Sequence, residues 1–501
     1  MSLRGAVMVC GTASDVGKSR IVAGLCRVLA RDDVLVAPFK AQNMALNSFV
    51  TATGHEIARS QAHQAAAART VPEVEMNPVL LKPSGEMTSQ LVVMGRPVGE
   101  MRAGEYRTAR PALLDTVTAA LDALRARYDV VVAEGAGGAA EINLLEGDLV
   151  NLPLALRAGV PAVLVGDIER GGVFASLYGT VALLPPELRD RLRGFIVNKF
   201  RGEPRLLDPG IAELERRCGL PCLGVLPHLG ELVIDAEDSL ALEHRAGTEP
   251  LPSGGDVLDV AVIRLPHLAN FTDFDPLALE RGVAVRYVSH PGALGDPDLI
   301  VLPGSKATVV DLGWLRARGL DRAIAAARRR DSTLVGICAG YQMLGTTILD
   351  EVESGAGQVP GLGLVDAGTV FAADKRTLQR SGRDGVGNAV VGYEIHHGQP
   401  RVRAAGSHWF CLDAPGGGEP EGIADPAAGI WATSLHGIFE CDGFRRTVLS
   451  TVAERRAKAF DPSSSSFETR RQAEIDRVAD ALEAHLDLEA VRAIITEGAL
   501  R

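Results

Sequence analysis

One cysteine of the chain lies in a setting that favours a nucleophile. Cys338 stands at the centre of the run Gly-Ile-Cys-Ala-Gly at 336–340, directly after the apolar pair Leu334–Val335. Gly-x-Cys-x-Gly is the thiol form of a strained strand-to-helix turn that exposes a reactive side chain. The positive end of the helix that follows such a turn favours the thiolate. The sequence therefore predicts a covalent nucleophile at Cys338.

A thiol nucleophile needs a base, and three histidines downstream are candidates. His396 and His397 stand in the run Tyr-Glu-Ile-His-His-Gly at 393–398. His436 closes an apolar stretch and precedes a glycine, so it could present its ring at the end of a strand. Residue types alone leave the choice between them open.

A glycine-rich loop near the start of the chain is typical of a phosphate site. The run Gly-Thr-Ala-Ser-Asp-Val-Gly-Lys-Ser occupies 11–19, after an apolar run and before a helix-compatible stretch. In such a site backbone amides bind phosphate oxygens, the lysine reaches the terminal phosphates and the hydroxyl binds magnesium. Thr12 stands where the first glycine of the usual spacing belongs. We still predict a nucleotide site that includes Thr12, Gly17, Lys18 and Ser19.

A magnesium–phosphate site also needs carboxylates. Glu134 ends an apolar run and precedes Gly-Ala-Gly-Gly, at the end of a predicted strand, where α/β sheets place their ligands. A buried acid at that place is costly unless it is paired, which favours a ligand role. Glu56 does not stand at the end of a predicted strand, and by residue type alone we interpret it as a solvated helix residue.

Short apolar runs alternate with helix-compatible stretches in both halves of the chain. The runs are Gly5–Cys10, Val34–Phe39, Asp129–Ala133, Ala162–Gly166, Phe195–Val197, Val260–Leu265, Val283–Val288, Leu299–Leu302 and Leu334–Cys338. They are continuous rather than alternating, as in strands buried on both faces of a parallel sheet. The order predicts an N-terminal P-loop domain with a doubly wound parallel sheet, followed by a second α/β domain. We place these domains at 1–245 and 258–455, with a linker at 246–257 and a helical extension at 456–501.

Length and composition exclude several classes of protein. A chain of 501 residues exceeds what one hydrophobic core usually supports. The net charge of −11 argues against a general nucleic-acid binder. Seven cysteines without zinc spacing or a disulfide framework indicate a reducing compartment. Because no secretory leader and no apolar run of membrane-spanning length is visible, we expect a cytoplasmic protein without a membrane span.

The N-terminal motifs resemble those of the dethiobiotin synthetase group. Its members show a Gly-Thr-x-x-x-x-Gly-Lys-[Ser/Thr] loop and a Glu-Gly-Ala-Gly-Gly strand end, and both stand in this chain. That group activates a carboxylate by phosphoryl transfer from ATP. The resemblance implies that Ser19, Glu56 and Glu134 hold Mg²⁺ and that Asn198 faces the adenine. ATP and Mg²⁺ are expected, and no tightly bound cofactor.

The cysteine and the last histidine resemble those of class I glutamine amidotransferases. The resemblance implies that Cys338 forms a glutamyl thioester, that His436 is its base and that ammonia is released. The amides of Ala339 and Gly304 are the expected oxyanion donors. The usual acid two residues past the histidine is an isoleucine here, which leaves the orienting residue open. Glu440 is an alternative, at a spacing that does not suit the same geometry.

Longer runs are similar to those of cobyric acid synthases over nearly the whole chain. They lie at 38–48, 76–83, 167–174, 270–274 and 393–396. The resemblance implies ATP- and glutamine-dependent amidation of the b, d, e and g carboxylates of adenosyl-cobyrinic acid a,c-diamide through acyl phosphates. Six polar residues are thereby candidates for substrate contacts: Lys40, Gln42, Asn43, Lys82, Gln90 and Arg170. The expected partners are glutamine and a corrinoid, with neither nucleic acid nor membrane.

Three alternatives compete with this interpretation. A cobyrinic acid a,c-diamide synthase would share the chemistry on another corrinoid, but the run at 40–48 argues against it. A CTP-synthase-like enzyme should keep the third triad residue. A non-catalytic nucleotide-binding protein should have lost Lys18, Cys338 or His436, and all three are present.

Overall fold

The chain folds into two α/β halves, each built on its own central sheet. The computed structural model describes residues 3–85, 87–230, 256–403 and 408–499. Most of the linker predicted at 246–257 therefore lies outside the described residues. Within the described ranges, no helix combines the length and apolar character needed to cross a membrane.

A six-stranded parallel sheet forms the centre of the first domain. Its strands, in spatial order, are Cys222–Pro227, Leu192–Phe200, Ala162–Asp167, Gly5–Gly11, Val130–Glu134 and Val36–Phe39. All neighbouring strands run parallel. Because Gly5–Gly11 and Val130–Glu134 are adjacent and parallel, the loop after the first and the carboxylate that ends the second meet at one edge of the sheet.

Helices cover both faces of this sheet. Along the strand Gly5–Gly11, Ala6 and Met8 belong to one apolar core, whereas Val7 and Val9 belong to another. The helices are Lys18–Arg31, Arg59–Ala67, Ala103–Arg127, Leu152–Ala158, Val173–Leu183, Pro186–Arg189 and Asp208–Cys218, with 3₁₀ turns at Val74–Met76 and Pro204–Leu207. The doubly wound architecture predicted from the apolar runs is confirmed.

A polar insertion lies between the strand Val36–Phe39 and the helix Ala103–Arg127. It forms a four-stranded sheet of Gln42–Met44, Val79–Gly85, Thr88–Val93 and Arg96–Arg102, and a ribbon of Ser48–Val50 with Glu56–Ala58. This insertion carries most of the candidate substrate residues, and it faces the second domain.

The second domain is built on a six-stranded sheet of its own. Its strands, in spatial order, are Val283–Val288, Leu258–Ile263, Leu299–Leu302, Thr333–Ile337, Ile430–Thr433 and Ile423–Asp425. All neighbours are parallel except the last strand, which is antiparallel. The helices are Asp275–Ala278, Pro291–Leu294, Thr308–Ala317, Leu320–Arg328, Ala339–Leu344 and Asp442–Arg455, with 3₁₀ turns at Phe271–Phe274 and Ile438–Glu440.

A second, mixed sheet completes this domain. Its strands are Gly357–Pro360, Thr347–Asp350, Ala367–Asp384, Phe410–Leu412 and Glu419–Glu421, with Ala389–Val402 paired to the long strand Ala367–Asp384. The long antiparallel pair brings Lys375 and Tyr393 to the face shared with the first domain, where Lys375 pairs with Glu56 and Tyr393 with Ser48.

The C-terminal extension returns to the first domain. Its two helices are Phe467–His485 and Leu488–Glu497. Their apolar residues Ile475, Leu482 and Ile495 belong to the same core as the first strand of the chain. The helices therefore form part of the first domain's hydrophobic core and close one face of its sheet.

Leu482→Ala should destabilise the first domain. Leu482 is 1% exposed, and a Cβ on Gly24 of the helix Lys18–Arg31 would lie 2.5 Å from its Cδ1, so the two helices are in close contact. Truncation of such a leucine costs about 2–5 kcal/mol. Urea denaturation followed by circular dichroism should show the loss. Leu206→Ala, at a leucine that is 77% exposed, is the matched control and should leave the urea midpoint unchanged.

Candidate active sites

Cys338 occupies a strained turn between a strand and a helix. Its φ of 51° and ψ of −109° lie in a region that non-glycine residues rarely adopt, between Thr333–Ile337 and Ala339–Leu344. The backbone N–H of Cys338 donates to the carbonyl of Thr433 at 2.7 Å. Gly340 permits the turn because a Cβ there would lie 1.8 Å from the carbonyl oxygen of Leu302. The geometry is that of the nucleophile turn predicted from the two glycines.

The imidazole of His436 is held by Asp273. Its Nδ1 lies 2.7 Å from Oδ2 of Asp273, and the N–H of Gly437 donates to Oδ1 at 2.9 Å. Burial alone would lower the pKa of His436, but the carboxylate of Asp273 and the thiol of Cys338 outweigh it and raise the pKa to about 10. Cys338, His436 and Asp273 thus form a Cys–His–Asp set in which the carboxylate orients the ring.

Glu440, the orienting acid considered from sequence, is engaged elsewhere. Its carboxylate pairs with Arg59 at 2.5 Å and with Arg471 at 2.9 Å, and so joins three parts of the chain. Ile438, at the position of the usual acid, is 1% exposed and belongs to the apolar core. The interpretation of Glu440 as orienting residue is therefore wrong, since Asp273 occupies the Nδ1 side of the ring.

A cavity of about 470 Å³, its mouth included, opens beside the nucleophile. Cys338, His436, Ala339 and both remaining histidine candidates line it. Nδ1 of His397 donates to the carbonyl of Ala372 at 3.0 Å. Neither ring nitrogen of the buried His396 has a hydrogen-bond partner among the described residues. The structure thus distinguishes the three histidines, because His436 alone among them is paired with both a carboxylate and the thiol.

The two residues predicted to donate to an oxyanion border the same space. Ala339 lines the cavity, directly after the nucleophile. Gly304 lies against the imidazole, because a Cβ on it would lie 2.8 Å from Cε1 of His436. A side chain at 304 would therefore displace the ring. The oxyanion role of both amides stays a prediction.

The predicted phosphate loop and the Gly-rich turn after Glu134 form one site. Nζ of Lys18 donates to the carbonyls of Ala13 and Gly137, both at 2.9 Å, and so joins the two motifs. Gly17 has a φ of 97°, and a Cβ on it would lie 2.2 Å from Nδ2 of Asn198. Asn198 itself donates to the carbonyl of Val16 at 2.8 Å and braces the loop. Its predicted contact with adenine stays a prediction.

Glu134 is buried beneath this loop with three hydrogen-bond donors. It is 1% exposed and accepts from Ser19 at 2.8 Å, from Lys40 at 2.8 Å and from Gln64 at 2.5 Å. Ser19 and Glu134 are close enough for one cation to contact both oxygens. In the described parts of the chain no group of three or more His, Cys, Asp or Glu side chains could hold a metal. The pair suits Mg²⁺, which takes few protein ligands and completes its shell with phosphate and water.

Glu56, the other predicted magnesium ligand, belongs to a different cluster. One carboxylate oxygen accepts from Lys82 at 2.6 Å and from Ser48 at 2.8 Å, and the other accepts from Lys375 at 2.6 Å. Burial alone would raise the pKa of Glu56, but Lys375 and Lys82 outweigh it and hold the pKa well below its usual range. Both oxygens are thus committed to lysines at the domain interface, and the structure does not join Glu56 to Ser19 and Glu134.

The remaining candidate residues separate into buried and exposed groups. Lys40 lies at the phosphate site through Glu134, and Asn43 donates to Ser60 at 3.0 Å. Lys82 lines the cavity beside Cys338, and its pKa falls to about 8, mainly through burial. The other three differ in environment: Gln42 bonds to Tyr106, Gln90 is buried with no partner for Oε1 among the described residues, and Arg170 is 74% exposed. Thr12, predicted at the nucleotide site, donates its N–H to the carbonyl of Val165 at 2.9 Å.

Comparisons with known proteins identify both halves. The CobQ/CobB/MinD/ParA nucleotide binding domain matches residues 7–240, and the CobB/CobQ-like glutamine amidotransferase domain matches residues 259–444. The cobyric acid synthase of Nocardia farcinica is 51% identical over 99% of this chain and 98% of its own length. Those of Rhodococcus jostii and Mycolicibacterium paratuberculosis are each 49% identical, over 99% and 98% of this chain and 96% and 97% of their own lengths. The chain belongs to the cobyric acid synthase family.

Membership of the cobyric acid synthase family confirms several predictions. The chain is a glutamine-dependent amidoligase with an ATP-binding P-loop domain and a glutamine amidotransferase domain, in cobalamin biosynthesis. The alternative of a non-catalytic nucleotide-binding protein is therefore wrong. The CTP-synthase-like alternative is excluded by the same relatives.

Three residues of the sites were not singled out from sequence. Asp273 lies 163 positions before His436, on the opposite side of the nucleophile in chain order. Gln64 is a helix residue, and Tyr393 stacks on His436 with ring centroids 5.5 Å apart. The run at 270–274 was the available signal for Asp273, because it places an acid in a segment that resembles this family.

Proposed function

We propose that this enzyme converts adenosyl-cobyrinic acid a,c-diamide into adenosyl-cobyric acid in the cytoplasm, by amidating the b, d, e and g carboxylates. The names of the full-length relatives support the product class. The observation that carries the proposal is the pairing of two sites in one chain: a Cys–His–Asp set, and a Lys–Ser–Glu phosphate site. The first suits release of ammonia from glutamine, and the second suits activation of a carboxylate by ATP.

In the second domain, Cys338 attacks the carboxamide carbon of glutamine as a thiolate. The C–N bond breaks, His436 gives a proton to the departing nitrogen, and ammonia leaves a glutamyl thioester. Water then attacks the thioester carbonyl, with His436 accepting its proton, and glutamate is released. Asp273 keeps Nδ1 protonated, so that Nε2 faces the thiol in both steps. His396 lines the cavity, its ring nitrogens make no hydrogen bond within the described residues, and its Nε2 lies 3.6 Å from Oε1 of Glu394; it is the residue we expect to hold a polar end of glutamine.

In the first domain, a corrinoid carboxylate oxygen attacks the γ-phosphorus of ATP and ADP departs. Lys18 and the loop amides bind the phosphate oxygens, where charge accumulates. Mg²⁺ held by Ser19 and Glu134 would supply further neutralisation of the phosphates. Ammonia then attacks the acyl phosphate, inorganic phosphate leaves and an amide is formed. Each cycle uses one ATP and one glutamine.

Ammonia passes between the two sites through the domain interface. Lys82, from the first domain, lines the cavity beside Cys338, so this cavity lies at the domain interface. The cluster of Ser48, Glu56, Lys82 and Lys375 lies next to it; the first three residues are buried, and the side chain of Lys375 is 6% exposed. A buried passage keeps ammonia from being protonated by bulk water.

Mass spectrometry of the corrinoid product should test the substrate directly. Incubation with ATP, Mg²⁺, glutamine and adenosyl-cobyrinic acid a,c-diamide should give four successive amidations. Cys338→Ala should give the same products only when free ammonia replaces glutamine, because the amidoligase site does not use the thiol. If ATP and glutamine are consumed while this corrinoid stays unchanged, the assigned substrate is wrong. Conversion of cobyrinic acid itself would instead favour the cobyrinic acid a,c-diamide synthase alternative.

A further inference from the structure

A single short segment connects the phosphate site with the glutaminase site. It runs from Lys40 to Ser48, within the polar insertion of the first domain. Nζ of Lys40 donates to Glu134 at 2.8 Å, and Glu134 also accepts from Ser19 of the phosphate loop. The other end of the segment contacts the second domain. The nine residues 40–48 therefore link Glu134 of the phosphate site to the second domain at residues 270–274, beside the catalytic histidine.

The contact at the far end is reciprocal and buried. Oδ1 of Asn47 accepts from the N–H of Phe271 at 3.0 Å, and Oδ1 of Asn270 accepts from the N–H of Ser48 at 2.8 Å. Asn47, Ser48 and Asn270 are all at most 3% exposed. A buried backbone N–H that loses its acceptor carries a desolvation penalty. These two hydrogen bonds therefore fix the position of residues 47–48 of the first domain relative to residues 270–271 of the second.

This contact bears directly on the residue that orients the catalytic histidine. Asn270 adopts a left-handed conformation, with φ 53° and ψ 45°, and starts the 3₁₀ turn Phe271–Phe274. The N–H of Asp273 donates to the carbonyl of Asn270 at 3.0 Å. Asp273 then reaches Nδ1 of His436 at 2.7 Å. A change in the conformation of Asn270 would therefore move the carboxylate relative to the ring.

Ser48 supports the same histidine from a second side. The hydroxyl of Tyr393 donates to the carbonyl of Ser48 at 2.9 Å. The Tyr393 ring stacks on His436 with an interplanar angle of 26°. The backbones of Tyr393 and His436 also pair, with N–H to carbonyl distances of 2.9 and 3.1 Å. The imidazole is thus placed by two contacts that both lead back to residues 47 and 48.

We propose that Asn47 and Ser48 couple glutamine hydrolysis to occupancy of the phosphate site. They act as positioning residues, through Asn270 and Tyr393, on the Asp273–His436 pair. Nucleotide phosphates arriving beside Lys18 and Ser19 change the charge around Glu134, and with it the position of Lys40. The segment transmits that change to Asn47, so that ATP binding improves the alignment of the imidazole on Cys338 and raises the rate of glutamine hydrolysis above an unstimulated level. The inference rests on the proposed roles of the two sites, and it would limit the hydrolysis of glutamine without an acceptor.

Alkylation of Cys338 by 6-diazo-5-oxo-norleucine, a glutamine analogue, reports the alignment of the thiol without any corrinoid turnover. In the full-length wild-type chain, a non-hydrolysable ATP analogue with Mg²⁺ should accelerate alkylation by at least about 5-fold, the lower range of ordinary coupling between sites. In Asn47→Ala and in Asn270→Ala the ratio of the rates with and without nucleotide should fall to about 1. No corrinoid is used, so a wrong substrate assignment does not affect the result.

Two further variants test whether a lowered ratio is specific to this contact. Asn388→Ala removes a side chain that bonds Asp384 and Thr447 in the second domain, and it should keep the wild-type ratio. Tyr393→Phe removes the hydroxyl that donates to the carbonyl of Ser48, and it should lower the ratio at least twofold. A ratio near 1 in the wild-type chain, or an unchanged ratio in Asn47→Ala, would overturn the coupling. An unchanged midpoint of urea denaturation, followed by circular dichroism, verifies that each variant is folded.

Discussion

Asp273→Asn should lower glutamine-dependent amidation by about 10³–10⁴-fold, as expected when the orienting carboxylate of a catalytic histidine is replaced by an amide. The side chain keeps its shape, so the turn Phe271–Phe274 is preserved. The amide can present its N–H₂ group to Nδ1, which favours the wrong tautomer and leaves the imidazolium without a counter-charge. Ammonia-dependent amidation should stay near the wild-type rate, because no proton transfer by His436 is needed there.

The pH dependence of glutaminase activity in Asp273→Asn should shift in one direction. In the wild-type chain, Asp273 and Cys338 raise the pKa of His436 to about 10 against the effect of burial, so the protonated ring persists through neutral pH. This ion pair stabilises the fold fully below the ordinary histidine pKa, and the contribution is lost as the pH rises towards 10. Without the carboxylate, burial lowers the pKa, and the residual glutaminase activity should decline at a lower pH. Glutamate release measured across pH should show the shift.

Glu440→Gln is the matched control, because sequence spacing made Glu440 the alternative orienting acid. Its carboxylate forms partly buried ion pairs with Arg59 and Arg471 between the domains. Loss of these partly buried pairs should cost stability, but the Asp273–His436 pair is untouched, so glutaminase activity should change by less than about fivefold. Equal losses in both variants would contradict the assignment of Asp273, since a general weakening of the domain would then explain them.

The sequence predicted the two reactive centres because each is a local pattern. A nucleophile turn needs glycines on both sides of one residue, and a phosphate loop needs Gly-Lys-Ser after a strand. Those requirements act within a few residues of the chain, and Cys338, Lys18 and Ser19 lie in the expected elements. The continuous apolar strands likewise fix the parallel sheets, since burial on both faces leaves no polar alternation.

Partners that meet only through the tertiary fold were not predictable in the same way. Asp273 precedes the nucleophile in chain order, so no spacing from His436 points to it. Glu56 resembled a magnesium ligand by family register, but its position is decided by Lys375, more than 300 residues away. The periodicity of the C-terminal helices predicted their form but not that they pack on the first strand of the chain. Each of these pairings depends on how two distant segments dock.

Glu134→Gln should lower amidation by about 10²–10⁴-fold with either glutamine or ammonia, the range expected when several kcal/mol of metal-assisted charge stabilisation are lost. Glutamine keeps the volume of the side chain but has one weak acceptor where Ser19, Lys40 and Gln64 converged on a carboxylate. The apparent Mg²⁺ concentration for half-maximal ATP cleavage should rise in parallel. The unstimulated glutaminase activity of the second domain should persist, since Cys338 and His436 are unchanged.

The variant also breaks the buried ion pair between Glu134 and Lys40, and removal of one partner of such a pair costs about 3–5 kcal/mol. Glu134→Gln combined with Lys40→Met separates this effect from the chemistry, because replacing both partners by uncharged side chains is often neutral for stability. The double variant should recover the urea midpoint but not the Mg²⁺ dependence of ATP cleavage. If Glu134 served only to neutralise Lys40, the single variant would retain the wild-type Mg²⁺ requirement. Retention of that requirement would remove Glu134 from the phosphate site, and the loss of stability alone would then account for its burial.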